Sequence, residues 1–306
     1  MNKFSKALYY LFNKPNVLLI FLWDRCARII PDKLFLSVKF RLIMGYWMDF
    51  NNPQTYNEKI QWLKLNYRHP GLTRMVDKVD AKNYVSEVLT NDDNIIPTIG
   101  VYNNLNEIEW NKLPEQFVIK CTHGSGDLLI CRDRDTFDVS YAKTMLGKYL
   151  KRNYYWTSRE WPYKNVKPRI IVEKYMEDES GYELKDYKWF CFNGEPKLLF
   201  IATDRNNPHD ETKFDFYDSE FNHIDVRNGH PNSSKTLVKP RGFEEMKRLA
   251  SKLSEGHPHL RVDFYDVNGK VYFGELTFFH WGGFVPFEPH IWDKKLGAMI
   301  DLSKVR

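Results

Sequence analysis

The sequence predicts an α+β fold with largely antiparallel strands in its second half. Two features point there. Helix-like apolar spacing runs to about residue 89 and then gives way to short apolar runs. The Asn193-Gly194 and Asn268-Gly269 dipeptides join pairs of those runs as hairpins. At 306 residues, 42% apolar and 28% charged, the chain can build one large domain or two lobes sharing a site.

The elements follow in order. Thr55 stands as an N-cap with Glu58 at the capping-box position, ahead of Ile60, Trp62 and Leu63. Asp77 to Leu89 is predicted as a helix. Ile95 to Tyr102 is predicted as a strand, Leu105 to Trp110 as a short helix, and Phe117 to Cys121 and Leu128 to Cys131 as strands. A helix over Ser140 to Arg152 and a strand over Arg169 to Tyr175 come next. Asp186 to Phe192 and Lys197 to Thr203 form a hairpin. Phe214 to Tyr217 is a short strand, Phe243 to Leu253 a helix, and Leu260 to Tyr265 with Val271 to Phe278 a last hairpin. The organisation read from this is residues 1–50 as a basic aromatic helical segment, 51–110 as a helical region, 111–175 as a glycine-loop subdomain and 176–306 as a C-terminal lobe.

Charge is uneven. Residues 1–48 carry eight Lys or Arg against Asp24 and Asp32, a net +6 in a chain whose total is +5. These basic residues interleave with Phe4, Tyr9, Tyr10, Phe12, Phe21, Trp23, Phe35, Phe40 and Trp47. The Val17–Trp23 apolar run has only seven residues, where a spanning helix needs about 20. Asp24-Arg25-Cys26 follows it instead of a small-residue cleavage site. The expectation is a cytoplasmic protein whose N-terminal segment either lies on an anionic membrane surface or packs on the main domain. The four cysteines form no CxxC pair, so reduced thiols are expected. Nucleic-acid binding is disfavoured, because the basic excess is confined to the N-terminus and carries no recognised motif.

Three constellations carry chemistry. In the first, Lys120 closes an apolar strand just before Gly124, Ser125 and Gly126, whose backbone N–H groups can cradle phosphate. No Walker A loop is present, and a plain hairpin loop would read the same way. Such a loop has little apolar weight to pin it. In the second, the strand Arg169 to Tyr175 ends in Glu173-Lys174-Tyr175, a possible hinge against a base and ribose. The third is Arg261-Val-Asp263 paired with Glu275-Leu-Thr277. A two-residue Asn268-Gly269 turn would throw Asp263 and Glu275 onto opposite faces. A three-residue Val267–Gly269 turn pairs Arg261 with Glu275 and gathers Arg261, Asp263, Glu275 and Thr277 on one face. The three-residue turn is expected, and two converging carboxylates suit a hard cation such as Mg²⁺.

Taken together, these segments resemble the ATP-grasp superfamily, and more narrowly its TupA-like members from bacterial cell-surface polysaccharide clusters. The likeness runs over roughly residues 50–302 and includes Asn52 to Trp62, Asp77-Lys78, Phe117 to Cys121, Asp186 to Glu195, Thr203 to Arg205 and Gly282-Gly283. The resemblance implies two α+β lobes gripping ATP and a carboxylate–amine ligase working through an acyl phosphate. It places Lys120, Gly124, Ser125 and Gly126 on the ATP phosphates, Glu173 and Tyr175 at adenine and ribose, and Asp263, Glu275 and Thr277 on Mg²⁺. Arg261 would steady the acyl phosphate, with Lys188 facing the nucleotide and Arg205 the carboxylate. Thr277 stands where the family pattern has asparagine, which puts a second metal in doubt. The implied substrates are an amino acid and a uronic-acid-type saccharide. A different reading takes Asp133-Arg134-Asp135 as the DxD triplet of a glycosyltransferase, though it also reads as a polar turn.

Overall fold

The structure, a computed structural model, describes residues 15–181, 183–205 and 211–305. Lys3, Lys6 and Lys14, with Phe4, Tyr9, Tyr10 and Phe12, lie outside them.

Helices α1 (Pro15–Arg25), α2 (Asp32–Met44), α3 (Tyr56–Asn66), α4 (Leu72–Val76) and α5 (Asp80–Leu89) come first. The strands that follow are β1 (Thr98–Tyr102), β2 (Phe117–Cys121) and β3 (Leu128–Cys131). Helices α6 (Val139–Leu150) and α7 (Tyr155–Ser158) precede β4 (Ile170–Lys174). Next come β5 (Asp186–Phe192), β6 (Glu195–Thr203), β7 (Lys213–Asp218) and β8 (His223–Ile224). Helix α8 (Phe243–Ser254), strands β9 (His259–Val267) and β10 (Lys270–Thr277), and helix α9 (Ile291–Met299) complete the order. Leu105 to Trp110, expected as one helix, forms two single 3₁₀ turns, and α4 and α9 have no counterpart in the sequence reading.

The strands form two antiparallel sheets. The small one has the order β1-β4-β2-β3 and the large one β10-β9-β5-β6-β7-β8. Strand β1, which the sequence reading grouped with the preceding helices, pairs with β4 in the small sheet. Every residue of β5 is buried, as befits a central strand covered on both faces. Helix α8 lies on β5, β6 and β9, and Trp189 of β5 meets its Phe243 with ring centroids 5.2 Å apart. The small sheet has its own core of Phe117, Ile119, Ile170 and Val172 against Leu146 of α6.

The capping box is present: the Thr55 hydroxyl accepts from the Glu58 amide, and the Glu58 carboxylate accepts from the Thr55 amide. Helix α3 then packs on α9 and on the turn at His280–Gly283. That turn fits because Gly283 has φ +65° and lies against Ile60 and Gln61. The Gln61 side-chain amide donates to the carbonyls of Gly282 (2.9 Å) and Gly283 (2.8 Å).

The N-terminal helices are half integrated. Phe35, Leu36 and Phe40 of α2 are fully buried, and the Arg159 guanidinium sits 4.4 Å from the Phe35 ring centre. Lys39 joins Asp24 (2.8 Å) to the Thr157 carbonyl (2.8 Å). The outward faces expose Val17, Leu19, Phe21, Leu22, Ile29 and Leu34. No helix among the described residues is long and apolar enough to cross a membrane.

Two glycines separate backbone strain from overlap. A Cβ on Gly283 would come within 2.6 Å of Gln61 Nε2, whereas Gly256 (φ +78°) faces open space. Gly256→Ala should cost about 1 kcal/mol from left-handed backbone alone. Gly283→Ala should cost roughly 2–5 kcal/mol, because overpacking adds to it. Urea denaturation of both variants measures the difference.

Candidate functional site

The β9–β10 hairpin builds the site. Its turn is the two-residue Asn268-Gly269, with Lys270 opposite Val267 and both turn residues at positive φ. The expected three-residue turn is therefore corrected. The expected face survives for another reason: the register slips between Phe273 and Glu275, so Gly274 bulges and Glu275 lands opposite Asp263. A Cβ on Gly274 would lie 3.1 Å from the Asp263 carbonyl oxygen, so glycine suits the bulge.

One guanidinium ties this face together. Arg261 donates to both oxygens of Asp263 (2.7 Å each), to Glu275 Oε1 (2.8 Å) and to His280 Nδ1 (2.6 Å). Asp263 is fully buried and also receives the Lys188 ammonium. Glu275 keeps 39% of its side chain exposed and accepts a long hydrogen bond from the Thr277 hydroxyl (3.4 Å). Burial would raise the Glu275 carboxyl, but Lys188, Arg261 and Lys78 outweigh it and hold the group well below the usual carboxylate range. Burial disfavours the Arg261 cation, yet Asp263 and Glu275 more than compensate. Among the described residues no three His, Cys, Asp or Glu side chains form a metal cluster.

Two neutral imidazoles flank Arg261. Since Nδ1 of His280 accepts, its Nε2–H donates to Asn228 Oδ1 (2.7 Å), and the Asn228 amide donates to the Val285 and Pro286 carbonyls. Burial and the neighbouring Arg261 push His280 far below its ordinary pKa. His259 donates from Nδ1 to the Cys191 carbonyl (3.1 Å) and accepts the Tyr56 hydroxyl at Nε2 (2.9 Å). Burial drives it down to about 3. Asn228 and Tyr56 carry no local sequence signal for these roles.

The small sheet supplies a second group of cations. Lys120 of β2 pairs with Glu173 of β4 at 2.5 Å, and Lys82 of α5 pairs with the other oxygen of that carboxylate. Glu173 is 3% exposed and fully engaged by these lysines, so it holds Lys120 in place and is not an open acceptor for ribose. Beyond Lys120, the base of the glycine loop is pinned. Thr122, His123 and Asp127 are buried, His123 Nε2 meets the Arg152 carbonyl (3.2 Å), Asp127 takes Arg152 (2.8 Å), and Lys78 donates to the Gly124 carbonyl. Only Ser125 and Gly126 are exposed, so the loop has more to hold it than its sequence suggests.

Two cavities adjoin here. The first, about 170 Å³, is lined by Lys120, Glu173, Tyr175, Met176, Leu184 and Arg205 among others. The second, about 190 Å³, is lined by Ser125, Glu160, Lys188, Arg205, Arg261 and Glu275 among others. Arg205 faces both and pairs with Asp186. Lys188 borders the second cavity with Arg261 and does not line the first. The structure thus brings Lys188, Arg205, Arg261, Glu275, Thr277 and Ser125 together, and Lys120, Glu173 and Tyr175 beside them. Sequence reasoning assigned no role to Lys78, Lys82 or Glu160. Asp133-Arg134-Asp135 is a surface turn after β3. The Asp135 amide donates to Asp133 (2.9 Å), and Arg134 is tied to Glu115 (2.6 Å) and the Leu113 carbonyl.

Two antiparallel sheets, with adjoining cavities lined in part by lysine and arginine, define an α+β fold. The chain belongs to the TupA-like ATP-grasp family, whose profile matches residues 58–301. Similar solved structures include D-alanine–D-alanine ligase from Helicobacter pylori, at 12% identity and TM-score 0.42, covering 82% of this chain and 66% of that one. L-amino acid ligase from Bacillus licheniformis is another, at 12% identity and TM-score 0.43, covering 80% and 55%. D-alanine–D-alanine ligase from Bacillus anthracis, complexed with ATP, has 14% identity and TM-score 0.37, covering 68% and 54%. The chain spans about half to two thirds of the length of these proteins. None of the curated proteins compared with this chain matches it.

The neutral histidines imply a pH signature. His259 titrates near 3 when folded and near 6.5 when unfolded, so the unfolded chain binds the extra proton. The stability that His259 contributes is complete above about pH 6.5 and falls as pH drops towards 3. Relative to His259→Asn, the wild type should lose about 1.4 kcal/mol per pH unit between pH 6 and 4. Denaturant titrations of both proteins across that range check this.

Proposed function

We propose that this protein is an ATP-dependent carboxylate–amine ligase that forms an acyl phosphate and releases ADP. The observation that carries the reading is the adjoining pair of cavities: one in which Val118, Leu128, Met176 and Leu184 meet charged groups such as Lys120, the other bordered by Lys188, Arg261 and Glu275, and Arg205 on both. The apolar side suits a base, and the cations suit the phosphates and the carboxylate. Phosphoryl transfer asks mainly for positioning and charge neutralisation, which fits a site with no activated nucleophilic side chain.

Lys120, Lys78 and the Ser125–Gly126 loop tip would hold phosphate oxygens. Arg261, fixed by Asp263 and His280, would sit against the charge that develops on the acyl phosphate and its tetrahedral adduct. Mg²⁺ fits this donor set in a limited way, since that ion commonly takes one or two carboxylates plus phosphate and water. Glu275, partly exposed at the cavity, is the better ligand. Asp263 has both oxygens on Arg261 and would join only by yielding its contact with Lys188. The bound ion would neutralise phosphate charge. Thr277, bonded to Glu275, would steady that carboxylate.

For substrates we favour an amino acid joined to a sugar acid of a bacterial cell-surface polysaccharide, made at the cytoplasmic face of the membrane. The exposed Phe21, Leu22, Ile29 and Leu34, with Arg25, Arg28 and Lys33 nearby, support contact with an anionic leaflet. Each basic residue near such a surface contributes about 1 kcal/mol.

Incubation with ATP, Mg²⁺ and a panel of amino acids and uronic acids should yield ADP, not AMP. Lys120→Ala should weaken ATP binding roughly ten- to a hundredfold by calorimetry. Glu275→Ala should lower turnover by about a hundredfold or more with a smaller effect on nucleotide affinity. Metal-dependent binding of a nucleotide sugar, lost on changing Asp133 and Asp135, would overturn the assignment in favour of a glycosyltransferase.

The membrane reading has its own test. Because α2 is part of a core, point changes serve better than deletion. Phe21→Glu with Leu22→Glu should abolish sedimentation with anionic liposomes at low salt while leaving ATP turnover intact. A wild type that stays in the supernatant under all conditions would make these helices purely a packing element.

A further inference from the structure

The second cavity gathers groups of opposite charge. Arg261 and Lys188 of the large sheet and Arg205, just past β6, line it. Glu160, between α7 and the 3₁₀ turn at Trp161–Tyr163, lines it too, with Tyr154 and Tyr163. Glu160 is 3% exposed. Its Oε1 accepts from the Ser158 hydroxyl at 2.6 Å. Lys64 of α3 interacts with it electrostatically but aims its ammonium elsewhere, at Gln61 Oε1 (3.0 Å) and the Gly282 carbonyl (2.5 Å). A buried carboxylate at a cavity wall, without a tight cationic partner among the described residues, is costly unless something arrives to use it.

Building on the ligase reading, we propose that Glu160 receives the amine substrate as an ammonium ion and takes its proton. An aliphatic amine is cationic near neutral pH, and three of the groups lining this cavity, Lys188, Arg205 and Arg261, repel it. Two carboxylates border this cavity, Glu160 and Glu275. Glu275 already accepts from Arg261 and from the Thr277 hydroxyl, which leaves Glu160 as the carboxylate without a cation hydrogen-bonded to it among the described residues. Burial raises the Glu160 carboxyl, although Lys64, the Ser158 hydroxyl and Arg261 pull it back and Glu275 adds to the rise. Tyr154, Tyr163 and Trp281 add aromatic faces suited to a cation. The step balances. R–NH₃⁺ gives one proton to Glu160, and the freed lone pair forms the C–N bond at the acyl-phosphate carbonyl. The C–O bond to phosphate breaks with its electron pair, and the second nitrogen proton leaves on hydrogen phosphate.

The test has a binding arm and a kinetic arm. Calorimetry with ethylammonium chloride should show saturable binding to the wild type. Glu160→Gln should lose it, and ethanol, the neutral isostere, should bind neither. No ethylammonium binding by the wild type overturns the proposal, whatever becomes of the ligase reading. In the kinetic arm, ATP and the carboxylate panel are combined with hydroxylamine, which is already neutral near pH 7, or with ethylamine, which is charged. Glu160→Gln should trap hydroxamate within about twofold of wild type but lose roughly a hundredfold or more with ethylamine. Raising the pH should restore part of the ethylamine rate. Equal loss with both nucleophiles would make Glu160 a structural residue, and no loss with either would make it a bystander; both results overturn the proposal. A wild type that forms no hydroxamate with any carboxylate, yet binds ethylammonium through Glu160, would refute the ligase reading alone.

Discussion

The Arg261 guanidinium is the constraint on which the site depends. Burying it would be prohibitively unfavourable without partners, and the hairpin meets that cost with Asp263 in bidentate contact and Glu275 beside it. His280 completes the fork from outside the sheet, and its tautomer is set by Asn228. The strand, the bulge and the loop after β10 are thus arranged around one planar cation. Replacing it with lysine would keep the charge and lose the fork.

Other charges obey the same economy. Lys120 and Lys82 share Glu173, Lys188 leans on Asp263, and Arg205 on Asp186. Lys120, Lys188 and Arg205 are therefore already paired with internal carboxylates, while Lys78 is held by the Gly124 carbonyl. On the proposed reading an incoming polyanion would exchange partners and not meet bare charge, which would moderate affinity and keep the lysines oriented. Glu160 stands apart in this scheme, a carboxylate without such a close ion pair among the described residues.

Much of the fold was legible because its signals are local. Thr55 and Glu58 announce a helix start within four residues, and the Asn-Gly pairs announce both hairpins. Arg261, Asp263 and Glu275 do share the expected face, but through the Gly274 bulge and not through the three-residue turn that alternation called for. What stayed hidden depends on distant partners. Glu173 looked like a hinge carboxylate, and only the approach of Lys82 from α5 shows that both its oxygens are occupied. The glycine loop looked loose, because Arg152 and Lys78 come from elsewhere in the chain. Helix α9 was missed, its docking resting on a close approach of Gly297 to Gln54 and Thr55. Glu160 sits in a run of aromatic and charged residues with no periodicity, and only the folded chain brings it to a cavity wall.

The hairpin also behaves like a reading frame that has been shifted twice. Shortening the turn by one residue moves every later side chain to the wrong side, and the extra residue at Gly274 moves them back. Neither change could persist alone without turning Glu275 away from Arg261. In related chains, turn length and bulge should therefore be gained or lost together. A sequence comparison that slides a gap from one place to the other would preserve the apparent match while misplacing the strand between them.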